Sequence, residues 1–127
     1  MNLLEYIMTQ SGMLSTGSIE DDRISKAESI LNLSFSEEYR EYVKKLGTAS
    51  FGNHELTGIC NFPRLNVISA TREVKTHNKN LSGLYVIENL HYDDLVVLQN
   101  SKGCVFLAGY NGKPVKIADS ILEYLKK

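Results

Sequence analysis

The sequence predicts a single α+β domain over residues 1–127, a mostly antiparallel sheet with N- and C-terminal helices packed against it. Three observations carry this expectation. Apolar residues recur at helical spacing in the first third and again at the C-terminus. From Leu84 onward the pattern changes to short runs rich in Val, Ile, Leu, Phe and Tyr, separated by turn residues. Helices that bracket a β-rich middle, without strand–helix alternation, give segregated layers rather than a parallel sheet.

Residues 2–11 predict a first helix with Leu3, Leu4, Ile7 and Met8 on one face. Ser15-Thr16-Gly17-Ser18 reads as a polar, mobile turn. Glu20 to Leu31 predicts a second helix whose buried stripe is Ile24, Ala27, Ile30 and Leu31, with Glu20, Asp21 and Asp22 at its positive end. Asn32 supplies its stop. The third helix is the best marked: Ser34 and Ser36 both suit a cap, and Ser34 with Glu37 has capping-box spacing. Tyr39, Tyr42, Val43 and Leu46 share one face, and Gly47 suits a left-handed stop.

Ala49-Ser50-Phe51-Gly52 reads as a small-residue loop, and His54 to Ile59 alternates as a strand would. Pro63 makes Asn61 to Leu65 a loop. Asn66 to Lys75 fits a helix through Val67, Ile68, Thr71 and Val74, with Asn66 as cap, although its β-branched content also suits a strand. His77 to Asn80 and Ser82-Gly83 mark a polar surface loop. Leu84 to Glu88, Leu95 to Gln99 and Cys104 to Tyr110 predict an antiparallel meander, extended by Asn111-Gly112 into a strand at Val115 to Ile117. Asp119 is expected to cap a last helix with Ile121, Leu122 and Leu125 facing inward.

Bulk properties narrow the function. The chain is 43% apolar and 23% charged, with a net charge of -1, which gives no global attraction to nucleic acid or to an anionic membrane. Leu3 to Met8 is short, lacks a basic leader and carries Glu5, so neither a signal peptide nor a membrane span is expected, and the cytoplasm is the expected location. Cys60 and Cys104 form no Cys-x-x-Cys pair and read as buried thiols. His54, His77 and His91 are scattered without metal-ligand spacing, and no cofactor or metal is expected. No phosphate loop, dinucleotide fingerprint or nucleophile elbow is present, so no catalytic residues are assigned.

The polar group that stands out is His91-Tyr92-Asp93-Asp94. An acidic loop carrying an aromatic suits contact with a basic partner, because Tyr packs and Asp steers association. Its plain alternative is a solvated hairpin turn. Glu37, Glu38 and Glu41 form a second acidic group, for which helix-dipole stabilisation is the plain alternative. The candidate partner-binding residues are Glu37, Glu38, Tyr92, Asp93 and Asp94.

Several motifs together resemble the SUKH superfamily, also called the SMI1/KNR4 family. They are Ile24-Ser-Lys-Ala-Glu28, Leu31-Asn-Leu33, Phe35-Ser-Glu-Glu-Tyr39-Arg-Glu-Tyr-Val43 closing at Gly47, Gly58-Ile59, Asn66 to Thr71, the acidic turn before Leu95, and Ile117 to Leu125. Ser36 stands where the family pattern has Pro, and His91 to Asp94 replaces a Gly-Asp-Gly-like turn. The resemblance implies a mostly antiparallel sheet with packed helices and no enzymatic activity. It also implies, for bacterial members, an immunity protein that binds and neutralises a cognate toxin, often a nuclease or deaminase. The fungal branch implies a regulatory interaction module instead. The expected partner is thus a protein, with no direct nucleic acid and no membrane, and unpaired sheet edges suit a monomer or a homodimer. A third class, an enzyme or small-molecule binder, would need a pocket lined by Tyr85, His91 or Cys104.

Overall fold

A computed structural model describes all of residues 1–127. The elements in chain order are α1 (Leu3–Met8), β1 (Leu14–Ser15), α2 (Asp21–Leu31), α3 (Glu37–Leu46), β2 (Ala49–Phe51), β3 (His54–Leu56), a 3-10 turn (Pro63–Leu65), α4 (Val67–His77), β4 (Tyr85–Asn89), β5 (Val96–Gln99), β6 (Val105–Ala108), β7 (Val115–Ala118) and α5 (Ile121–Lys126). The seven strands form one sheet in sequence order, and every adjacent pair is antiparallel. This is the α+β arrangement expected from the sequence.

Alternation along β4 and β5 sorts the core into two clusters on opposite sheet faces. Tyr85, Ile87 and Val97 join Phe35, Tyr39, Tyr42, Val43 and the inward residues of α1, α2 and α5. Val86, Val96 and Leu98 join Val74, Leu81, Leu84 and Ala108. A register shift between Val86 and Glu88 marks a bulge in β4. The α4 helix packs on this strand, and its Thr71 hydroxyl accepts the Val86 amide hydrogen at 3.0 Å.

Helix α3 is fixed as its sequence indicates. Tyr39, Tyr42, Val43 and Leu46 are all buried, with acids in the first turn and Lys44 and Lys45 in the last. Of the two serines, Ser36 is the cap: its Oγ accepts the Tyr39 amide hydrogen at 3.0 Å. Its position also lets Oγ donate to Gln99 Oε1, whereas Ser34 faces solvent. Asn32 ends α2 in the left-handed conformation, φ 54°. Residues Val67–His77 are helical, and Asn66 Oδ1 accepts from the Ile68 and Ser69 amides, so capping prevails over β-branching there.

Other expectations are corrected. Ala49 to Phe51 is a strand, not a loop, because Ala49 and Phe51 bury their side chains while the backbone pairs on both sides. Ser15 belongs to β1, and the Thr16 and Gly17 amides both donate to the Leu46 carbonyl, so this stretch is tied to the end of α3. Ile30 and Met8, expected on buried stripes, are exposed; α1 buries Leu3 and Ile7, and α2 buries Ile24 and Ala27. Asn78 lies in an expected surface loop yet is buried, its amide donating to the Gly109 and Gly112 carbonyls. Ser120, not Asp119, caps α5 by accepting the Glu123 amide hydrogen, while Asp119 pairs with Lys116. Both cysteines are half-buried free thiols.

One close approach locks α3 to the segment after β3. A Cβ placed on Gly58 would stand 1.5 Å from the Gly47 carbonyl oxygen. The Ile59 amide donates to that same oxygen. Only glycine permits this contact.

Candidate partner-binding surface

The loop between β4 and β5 carries three of the candidate residues. Tyr92, Asp93 and Asp94 are exposed, Tyr92 at 59%. His91, Asp93 and Asp94 all have positive φ, 61°, 52° and 54°. His and Asp are among the few non-glycine residues that enter this region readily, which explains why this composition builds a tight, projecting turn. Asn89 Oδ1 accepts the His91 amide hydrogen at 2.7 Å, and the Leu95 amide donates to the Tyr92 carbonyl. Neither Asp93 nor Asp94 takes part in any ion pair of the chain. The loop therefore presents uncompensated negative charge beside an exposed ring.

The two candidates on α3 are placed differently. Glu37 is exposed, near a surface lined by Asp21, Arg40, Glu41 and Lys44, where Arg40 and Lys44 both pair with Asp21 and Arg40 also with Glu28. Glu38 points inward. Its carboxylate accepts from the Ile121 amide at 2.8 Å, the Leu122 amide at 3.0 Å and Gln99 Nε2 at 3.0 Å. Gln99 closes β5 and Asp94 lies just before its start, so the α3 acids and the acidic loop lie toward opposite ends of that strand, roughly 13 Å long. They do not form one patch.

Sequence reasoning passed over a buried carboxylate. Glu88 is 2% exposed. Its oxygens accept from His54 Nδ1 at 3.0 Å, the Glu55 amide at 2.8 Å and the Tyr124 hydroxyl at 2.5 Å. The hydrogen bond to Glu88 raises the His54 pKa, against the opposing effect of burial. Burial, then the Glu88 bond, raises that of Tyr124. Three elements, β3, β4 and α5, are fastened at one carboxylate. No Ser or Cys is hydrogen-bonded to His54, so the group ties elements together rather than assembling a nucleophile. The only advance signal was a charged residue closing an otherwise apolar strand.

A second network is equally complete. Tyr85 OH accepts the Ser36 amide hydrogen at 2.9 Å and donates to Gln99 Oε1 at 2.7 Å. Gln99 Nε2 donates to Glu38 and to the Gly103 carbonyl. Tyr85 is thus fully enclosed and committed, and His91 lies beyond the opposite end of β4, so Tyr85, His91 and Cys104 do not converge on one pocket. No group of three or more His, Cys, Asp and Glu side chains is arranged to hold a metal ion, and no helix is long and apolar enough to cross a membrane.

A seven-stranded antiparallel meander with helices on both faces, an acidic loop and saturated buried polar networks defines an α+β domain built around its surface. The chain belongs to the SUKH superfamily: a family model described as SMI1-KNR4 cell-wall, SUKH_6, matches residues 21–125. Among curated proteins, none matches the chain.

Proposed function

We propose that the chain is a bacterial immunity protein that binds and neutralises a cognate polymorphic toxin domain, a nuclease or a deaminase, by occluding it. The observation that carries this reading is membership of the SUKH superfamily over residues 21–125. The unpaired Asp93 and Asp94 beside exposed Tyr92 support it, since toxins that handle nucleic acid offer basic surfaces and opposite charge accelerates encounter. In this reading the chain works in the cytoplasm, as monomer or homodimer, without a cofactor and without chemistry of its own.

Tyr92, Asp93 and Asp94 form the principal contact, with Glu37 as a separate flank. Glu38 contributes by ordering the start of α5. A standard interface covers about 800 Å² per partner and roughly 20–30 residues, so these positions are a centre rather than the whole. The test is rescue in cells. The neighbouring gene, as the candidate toxin, is expressed alone, with the wild-type chain, and with an Asp93→Lys/Asp94→Lys variant. Growth restored by the wild type and weakened by the variant is expected. Killing that persists beside well-expressed wild-type chain contradicts the reading.

The family description, SMI1-KNR4 cell-wall, supports a second reading, a regulatory interaction module with a non-toxin protein partner. A gene neighbourhood without a large toxin gene favours it.

A further inference from the structure

The turn between β6 and β7 carries a dipeptide whose chemistry partner binding leaves unused, Asn111-Gly112. Asparagine is chemically labile, because its side-chain carboxamide can be attacked by the backbone nitrogen of the next residue. A side chain on that residue hinders the approach, and glycine has none. Of the asparagines in this chain, Asn111 alone precedes a glycine.

The fold leaves the pair open to reaction. Both residues are exposed, the Cβ position of Gly112 has open space around it, and the Gly112 amide donates to no backbone carbonyl. The restraint lies at two neighbouring carbonyls instead. Asn78, 2% exposed at the end of α4, donates through its side-chain amide to the Gly109 oxygen at 2.9 Å and the Gly112 oxygen at 3.0 Å. Exposed Asn80 donates to the same Gly112 oxygen at 3.1 Å. One buried amide therefore pins the main chain on either side of Tyr110 and Asn111. Ring closure at Asn111 needs main-chain rotation within that pinned segment, so the clamp slows it.

We propose that Asn111 is a self-modification site, converting to aspartate and isoaspartate at a rate set by the Asn78 and Asn80 clamp. The Gly112 nitrogen gives its proton to hydroxide and bonds to the side-chain carbonyl carbon of Asn111. The carboxamide C–N bond breaks, and its nitrogen takes a proton from water and leaves as ammonia. Water then opens the succinimide ring. Cleavage of the new C–N bond gives aspartate; cleavage of the original peptide bond gives isoaspartate, whose main chain runs through the side-chain carbon. The sum is one water consumed and one ammonia released, with no oxidation or reduction. Either product adds a negative charge to the turn. Isoaspartate also adds a methylene between the two pinned carbonyls, so both oxygens can no longer reach Asn78, and its buried amide loses an acceptor.

The test incubates the whole chain in warm, mildly alkaline buffer and follows each asparagine by peptide mass mapping, which reads the replacement of NH2 by OH. Asn111 should convert before any other asparagine. Asn80→Ala, which removes one exposed hydrogen bond to Gly112, should speed conversion about two- to tenfold. Asn78→Ala, which removes both buried bonds, should speed it further. The Asn80→Ala comparison stands even where Asn78→Ala fails to fold. Asn111 left intact after a synthetic segment of residues 108–115 has fully converted in the same buffer would overturn the proposal. Earlier conversion of another asparagine would do the same, as would a rate in Asn80→Ala no faster than in the wild-type chain.

Discussion

The carboxylate of Glu38, in the first turn of α3, caps the helix that begins at Ile121, accepting its amide hydrogen at 2.8 Å across 83 residues of sequence. The same group takes the Leu122 amide and Gln99 Nε2, so it joins α3, α5 and the end of β5. Glu38→Ala should therefore cost about 2 kcal/mol of stability, the scale of a lost cap with charge-assisted hydrogen bonds. Urea denaturation measures it. Unaltered stability together with weakened toxin binding would show that Glu38 acts at the interface instead.

Tyr85→Phe removes one hydroxyl and leaves two buried groups short of a partner, the Ser36 amide and one bond of Gln99 Oε1. The expected loss is roughly 1–3 kcal/mol, because a buried unsatisfied donor keeps its desolvation penalty. A change within a few tenths of that of an exposed Tyr92→Phe control would contradict the network's role.

The His54–Glu88 pair makes stability depend on pH in a defined sense. Glu88 holds the imidazole above its ordinary value of 6.5. A group whose pKa is raised by folding stabilises fully below its unfolded value, and that contribution fades as pH climbs through the folded value. The urea midpoint should fall as pH rises above the ordinary value of 6.5, and His54→Asn should flatten that part of the slope. A wild-type slope unchanged by the substitution would rule His54 out as its source.

Gly58→Ala should prevent folding or cost about 3 kcal/mol or more, since the new methyl group would meet the Gly47 carbonyl oxygen at 1.5 Å. Gly52→Ala is the control, because open space surrounds its Cβ position, although its φ of 54° still strains a side chain. A larger loss at Gly52 than at Gly58 would contradict the close-approach account.

How much was legible beforehand depended on how local the determining physics was. Helix α3 carries cap, stripe, charges and stop within a dozen residues, and the meander declares itself through its turn residues. Strand β2 was missed because Ala49-Ser50-Phe51 is three residues long and gains its strand character only from partners on both sides. Glu38 looked like a surface acid because its ligands lie 61, 83 and 84 residues away. The Tyr92–Asp94 loop was legible as a turn with two acids. That those acids lack partners within the chain is a fact of packing alone.

The central claim is tested most directly by titrating purified chain into the purified product of the neighbouring gene, by isothermal calorimetry, with the toxicity of that product assayed at the end point. The account predicts a saturable complex with activity lost at saturation, and a weakened association for Asp93→Lys/Asp94→Lys. No heat of binding, with toxin fully active in excess wild-type chain, would contradict it.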